Sequence, residues 1–278
     1  MRMEMTSYNE QGIWCTLVGH IPDNYINAED QNFKPTVPWL IAYAWRCAVR
    51  PPYNYLSYRS FEDHMIFLRS SVYHILPEFH TRLKPSATFQ FNFSLAKVGR
   101  TSYDELKVMR DCVDDTLLAT NYMQTVCVSK LTRRSAQLPD WFTGLYVSHG
   151  NHQTPQYMDR LGDKPAKIFK HKIQPPSSDT DENNHISSTA YIKYTEECAY
   201  TAAENNAYPS FTNDLTRYRI KTIGILYMAE ALADDVITIE TWEDGENRWK
   251  LNFVMKKNDK DELCHCSFEY YDFIESNL

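Results

Sequence analysis

Glycine is scarce, at eight residues against nineteen tyrosines and thirteen phenylalanines, which points to an aromatic-rich sheet protein with few tight glycine turns. No phosphate-binding glycine loop, serine nucleophile elbow or HExxH helix occurs, so the commonest hydrolase signatures are excluded. There is no CxxC pair. The seven cysteines (Cys15, Cys47, Cys112, Cys127, Cys198, Cys264 and Cys266) are odd in number and scattered, which fits reduced thiols better than a disulfide framework. A zinc site from Cys264, His265 and Cys266 is disfavoured because on a strand His265 points away from both thiols. No Lys/Arg cluster stands out and the net charge is -7, which argues against nucleic acid as a partner. The longest apolar run, around Trp39 to Trp45, is far below the roughly 20 residues of a membrane span, and MRMEMTSYNEQG carries no apolar leader. The expectation is a cytoplasmic protein without a membrane partner. Ser276-Asn277-Leu278 comes near the peroxisomal SKL address but lacks its basic middle residue, and is read as a frayed terminus.

With 43% hydrophobic and 23% charged residues, the composition is that of a globular protein, and 278 residues suffice for one large or two smaller domains. A helix followed by strand-like segments occurs twice. The first helix is read over Pro38 to Arg50, with proline in its first turn and Pro51-Pro52 as its stop. The second is read over Ser188 to Glu204, with Tyr191, Tyr194, Cys198 and Ala202 on one stripe. Phe89, Phe91, Phe93 and Leu95 alternate with Gln90, Asn92 and Ser94, and Trp249, Leu251, Phe253 and Met255 alternate with Arg248, Lys250 and Asn252. Gly99, Tyr103, Leu117 and Tyr122 stand 146 residues before Gly245, Trp249, Leu263 and Phe268, while the helices superpose at 151, setting Asp30 on Asp181 and Tyr43 on Tyr194. Residues 1–145 and 166–278 are read as two α+β units, each a long helix laid across an antiparallel sheet, joined by a linker over 146–165 within a polar stretch from Pro139 to Pro165. His149 and His152 fall in that stretch as loop residues.

Just ahead of the second helix, SDTDENNH places Asp179, Asp181, Asn183 and His185 within a few positions. The first helical N–H groups lack intrahelical partners and carry the positive end of the dipole, so they favour a carboxylate or an oxyanion. Asp and Asn are also common caps and turn formers, and Ser187 or Ser188 can cap the helix while the acids solvate a loop.

DTDENNH followed by ISSTAYIKYTEE resembles the D-x-D-x-N-x-H-V-N-N-x-x-Y signature of hotdog-fold thioesterases, most closely the fatty acyl-ACP thioesterases, which carry two hotdog units in one chain. Asp179, Asp181, Asn183, His185 and Tyr191 match; Ser187 and Ser188 replace the asparagine pair. Leu226 to Ala231 with Asp234 to Val236 resembles that family's E-Y-R-R-E-C-G-R-D-S-V strand, with Glu230 on its acidic position and Ala231 on its cysteine. A thiol mechanism is thereby excluded, and one with a carboxylate and activated water survives. Single-unit thioesterases of this fold carry D-x-x-G-H-V-N-N, where Asn184 takes the place of the glycine. The resemblance covers most of residues 168 to 273; over the first half it rests on element order and on Lys97 to Asp111.

The resemblance implies two tandem hotdog units forming an intrachain pseudo-dimer, and hydrolysis of acyl-ACP or acyl-CoA thioesters without metal or cofactor. Asp181 or Glu230 is the base, His185 and Asn183 hold the water or the carboxylate, and Asp179, Tyr191 and Tyr194 are candidates for contact with substrate. The first copy reads Asp30-Gln31-Asn32-Phe33-Lys34, with Lys34 in place of His185 and Arg82 or Lys84 near the place of Glu230, so it is read as lacking the chemistry. Phe89, Phe91, Phe93, Trp249 and Phe253 either line an acyl channel or pack the core. The alternatives are a hotdog acyl dehydratase and an acyl- or lipid-binding protein without turnover. A monomer or homodimer is expected.

Overall fold

The computed structural model describes residues 2–9, 13–20, 36–51, 53–61, 64–84, 86–148, 154–181 and 184–272. Asn183, the Asp30 to Lys34 segment, Pro52, His149, His152 and the Ser276-Asn277-Leu278 terminus lie outside them.

Two compact units, Met1–Tyr157 and Met158–Leu278, divide the chain. In the first, β1 (Arg2–Tyr8), β2 (Trp14–His20), α1 (Val37–Ala48), β3 (His64–Ile75), α2 (Pro77–Arg82), β4 (Thr88–Val98), β5 (Ser102–Asp111), β6 (Leu117–Ser129) and α3 (Asp140–Tyr146) follow in order. Its strands pair antiparallel in the order β1-β2-β4-β5-β6-β3. The second holds β7 (Phe169–Ile173), α4 (Ser188–Glu204), β8 (Ile220–Tyr227), β9 (Ile237–Glu243), β10 (Lys250–Lys257) and β11 (Asp261–Tyr270). Its strands pair in the order β7-β9-β10-β11-β8. Removing β1, α2 and α3 from the first unit leaves the wiring of the second: a strand, a long helix, a strand that goes to the far edge, and a three-stranded meander.

Both helices form for the reason their spacing suggests: an apolar stripe at 3.6-residue period packs on a sheet. Leu40, Ile41, Ala44 and Ala48 of α1 are at most 1% exposed, and the residues 151 positions later, Tyr191, Ile192, Thr195 and Ala199 of α4, are at most 3% exposed. Helix α1 stops at Ala48, two residues short of the sequence expectation, as the chain turns toward Pro51. Thr195 satisfies its buried hydroxyl on the Tyr191 carbonyl at 2.8 Å.

The alternation in β4 holds residue for residue, with Phe89, Phe91, Phe93 and Leu95 at most 1% exposed. Each such side chain contributes about 1.5–3 kcal/mol by leaving water. In the last strand the 146-residue offset fails. Asn121 is fully buried and donates to Ser71 Oγ at 2.7 Å on the inner face, so Tyr122 faces outward against the His74 ring. Phe268 is fully buried against Phe253 with ring centroids 5.2 Å apart. Inner residues are odd-numbered in β6 and even-numbered in β11, so only an odd offset superposes their faces, because a slip of one residue reverses a strand.

One further expectation is corrected. The polar stretch after Pro139 begins with α3, whose Phe142 and Tyr146 are fully buried; Phe142 lies 5.1 Å from Tyr103 and 5.4 Å from Phe61, centroid to centroid. Trp249 precedes β10 but packs with the inner row's aromatic cluster, edge-on to Phe211 at 5.7 Å and 6.0 Å from Tyr218, under the Arg248 guanidinium at 4.6 Å. The outer face of the second sheet is covered: Asn252, Val254 and His265 are 4%, 0% and 5% exposed. The cover is the strap Met158 to Asp163. Leu161 N–H donates to His265 Nδ1 at 2.9 Å, and Met158 Sδ lies so close to Gly224 that a Cβ there would meet it at 2.8 Å.

His265 thus faces out while Cys264 and Cys266, fully buried, face in. Five cysteines are buried, Cys47 is half-buried and Cys112 is exposed. Burial pushes the Cys15 and Cys198 thiols up to about 12 and Cys127 up to about 11.

The inner face of the first unit carries a charge pair. Glu105 and Lys107 are 0% and 3% exposed. Trp45 Nε1 donates to Glu105 Oε1 at 3.2 Å, and Lys107 Nζ sits 5.1 Å from the Trp45 ring. Among the described residues, no helix is long and apolar enough to cross a membrane.

Candidate active site

The segment that opens α4 is folded back on itself before the helix starts. Asp181 N–H donates to the His185 carbonyl at 2.7 Å and Asn184 N–H to the Asp181 carbonyl at 3.1 Å, which requires the left-handed backbone of Asn184, φ 61°. Glycine and asparagine reach that region at least cost, so the exchange of one for the other at this position keeps the turn. Asp181 itself is exposed, and its Oδ1 accepts the His185 N–H at 3.2 Å. The carboxylate closes the turn.

The turn is anchored on two sides. Ser187 N–H donates to the Asp179 carbonyl at 2.9 Å, and Asp179 Oδ2 accepts from Tyr194 OH at 2.8 Å and Lys193 Nζ at 3.0 Å. Ile186 N–H donates to the Ala231 carbonyl at 2.8 Å, and His185 bridges Leu232. This second anchor brings in the loop after β8, and with it Glu230. The sequence resemblance set Glu230 on a strand, but β8 ends at Tyr227. The result is a pair: His185 Nε2 lies 3.3 Å from Glu230 Oε2, with side chains 15% and 33% exposed.

The loop has its own braces. Leu232 N–H donates to Asp235 Oδ2 at 2.8 Å, Lys257 Nζ lies 3.7 Å from that same oxygen, and Lys257 donates to the Glu230 carbonyl at 3.4 Å. Ala231, in the family's cysteine position, is fully buried. Sequence reasoning missed the roles of Asp235 and Lys257. Asp235 lay inside the matched stretch, while nothing local marks Lys257, which arrives from β10.

Tyr191 and Tyr194 are 3% and 1% exposed. Burial pushes both hydroxyls well above the usual tyrosine range; for Tyr194 the Asp179 carboxylate adds to this, and for Tyr191 a backbone hydrogen bond from Ala231 works against it. Tyr191 meets Tyr227 edge-on at 5.5 Å, and Tyr227 OH donates to the Ser188 carbonyl at 2.9 Å. Both tyrosines thus bear on the frame behind the His185–Glu230 pair. Ser187 occupies the N-cap position of α4 without a side-chain cap bond to the helix.

In the first unit Arg82, aligned near Glu230, instead binds Asp111 at 2.9 Å and Asp114 at 2.8 Å. Among the described residues no group of three or more His, Cys, Asp or Glu side chains is placed to hold a metal ion.

No family model and no curated protein sequence matches the chain. Solved structures do. An acyl-ACP thioesterase from Bacteroides thetaiotaomicron is 16% identical, with a TM-score of 0.71 over 95% of this chain and 100% of that one. The 12:0-ACP thioesterase of Umbellularia californica is 14% identical, with a TM-score of 0.69 over 95% and 99%. A Lactobacillus plantarum structure assigned as an oleoyl thioesterase is 12% identical, with a TM-score of 0.73 over 94% and 97%. At these identities the likeness is one of fold. The chain has the hotdog fold of these thioesterases over nearly its whole length.

Proposed function

We propose that the second unit hydrolyses an acyl thioester by activating water. The observation that carries this is the pairing of His185 with Glu230 at 3.3 Å beside the start of α4. Glu230 takes a proton from a water molecule while His185 Nε2 orients its carboxylate; the water oxygen adds to the thioester carbonyl. The oxyanion meets backbone N–H groups at the start of α4, where the helix dipole favours negative charge. Collapse of this tetrahedral species breaks the C–S bond, and the thiolate leaves with the proton Glu230 had taken. Asp181 shapes the turn through the His185 N–H, and the sequence resemblance assigns Asn183 to holding the water. Asp179, Tyr191 and Tyr194 frame the site from behind. The first unit, with Lys34 in the sequence position of His185, is assigned no chemistry. The names of two of the similar structures support an acyl chain on acyl carrier protein as substrate, and acyl-CoA is the other carrier the sequence resemblance allows.

The test is thiol release from acyl-ACP and acyl-CoA panels by the native chain beside Glu230→Gln, His185→Ala and Asp181→Asn. A positioned base contributes about 10²- to 10⁴-fold, so Glu230→Gln loses turnover by that factor and Asp181→Asn, which keeps an acceptor for the His185 N–H, loses far less. Deepest loss in Asp181→Asn assigns the base to Asp181 instead. Acyl binding without turnover by the native chain rejects the enzyme reading.

A further inference from the structure

Glu240 stands on the outer face of the second sheet, across from Val254 of β10 and Lys170 of β7, and is 5% exposed. Burial alone would raise its carboxyl, but hydrogen bonds from Lys164, Lys170 and Lys256 pull it down to about 2, so it is ionised at any working pH. Lys170 Nζ lies 3.1 Å from Oε1, while Lys256 Nζ lies 3.2 Å from Oε2 and Lys164 donates to that same oxygen. One ammonium neutralises one carboxylate, which leaves two positive charges uncompensated within the cluster. Held against the same two oxygens, the three ammoniums repel one another.

The surrounding charges do not remove the excess. Lys172 and Asp259 pair at 2.7 Å and cancel. Glu262 accepts from His265 Nε2 at 3.2 Å and is offset by Arg160, the strap cation that acts on the same imidazole. Asp163, next to Lys164, is exposed and screened by solvent.

The lysines are ordered and still within reach of a ligand. Lys164 and Lys256 are 27% and 21% exposed in their side chains, sunk for lysine, and Lys170 is 57% exposed. Each ammonium has three hydrogens, of which the carboxylate takes one. A buried acid thus holds three accessible cations in place ahead of binding, and an oxyanion gains most from donors whose ordering is already complete. Lys257, which follows Lys256, donates to the Glu230 carbonyl at 3.4 Å, so the cluster lies at the end of the sheet that carries the candidate site.

We propose that Lys164, Lys170 and Lys256 form an anion site for a phosphate or pyrophosphate group. The site rests on the charge around Glu240 and not on the hydrolytic reading, so either can fail alone. Such a group comes free, on a nucleotide or on the carrier of a thioester.

Titration calorimetry of the full chain at low salt with pyrophosphate, ADP and CoA tests the proposal and separates the sources. Pyrophosphate saturates a single site with a Kd below about 1 mM, and added salt weakens it. CoA above ADP assigns the group to a thioester carrier, ADP equal to CoA and above pyrophosphate to a nucleotide, and pyrophosphate tightest to a free anion. Lys170→Met weakens binding about tenfold, the worth of one charge-assisted hydrogen bond. Lys172→Met, which removes a neighbouring charge that Asp259 already takes, changes it by less than about twofold. Absence of saturation by about 10 mM, or a loss in Lys172→Met as large as in Lys170→Met, overturns the proposal. Should Lys170→Met not fold, Lys170→Gln takes its place in the same comparison.

Discussion

Tyr194, two turns into α4, donates its hydroxyl hydrogen to Asp179 at 2.8 Å and so fastens the segment before the helix to the helix itself. The two partners are not equivalent. Tyr194→Phe removes a donor from an acceptor that keeps Lys193 and water, and costs about 1 kcal/mol. Asp179→Ala leaves the Tyr194 hydroxyl buried without its acceptor and costs about 1–3 kcal/mol. Lys193 is 61% exposed in its side chain, and Lys193→Ala changes stability by less than about 1 kcal/mol. Urea unfolding of the three variants gives the ranking.

Glu230 depends on Asp235 and Lys257 for its position. Asp235→Ala frees both the Leu232 N–H and the Lys257 ammonium, and lowers kcat by about tenfold through misplacement of the carboxylate, with KM little changed. Asp235→Asn keeps an acceptor for the Leu232 N–H and recovers most of the rate. Steady-state kinetics on both variants reads this; equal losses would assign the effect to the Lys257 charge.

In the first unit burial pushes Glu105 up and Lys107 down, while each charge, through the other, opposes that shift. Lys107→Met removes the opposition, so the Glu105 carboxyl moves further above its unfolded value. A raised acid contributes stability that is fully present below the unfolded pKa, near 4.5, and is lost as pH rises from there through the raised folded value. The variant is therefore weakened most at neutral pH, by about 3 kcal/mol, and recovers in acid. Glu105→Gln added to Lys107→Met removes the pH dependence. Thermal melts from pH 4 to 8 are the measurement.

His265 holds the strap only when Nδ1 can accept. Burial lowers its pKa, with Glu262 opposing from Nε2 at 3.2 Å and Arg160 and Lys164 assisting; Glu240 and Lys256 complete the charges on that face. A histidine depressed in the folded state stabilises fully above its unfolded pKa, near 6.5, and progressively less below it. The Leu161 amide is expected to lose exchange protection between pH 7.5 and 5.5. His265→Phe, which offers no acceptor, lacks that pH dependence.

Much of this was legible where the signal is local. The stripe Tyr191, Tyr194, Cys198 and Ala202 marks α4 to the residue, and the β4 alternation reports burial correctly at each position. Asn184 reads as a stand-in for glycine because its backbone needs left-handed torsion. Where the sequence misleads, the information is non-local. Tyr122 and Phe268 look like counterparts, but an aromatic residue fits either face of a strand, and only the partners Asn121 and Phe253 reveal which. Nothing local shows that Asn252 and His265 are covered, because the strap over them lies more than eighty residues away in sequence. Glu230 and His185, forty-five positions apart, meet because Ile186 bonds to Ala231.

The distribution of thiols makes the chain its own folding probe. Cys112 stands open to reagents, while the five buried sulfurs are both shielded and, by their raised pKa values, short of the thiolate that alkylating agents attack. A maleimide pulse should label Cys112 at once and the interior cysteines only as fast as each unit opens. Because Cys15 and Cys127 report on the first unit and Cys198, Cys264 and Cys266 on the second, peptide-resolved labelling would time the breathing of the two halves separately, with no engineered residue.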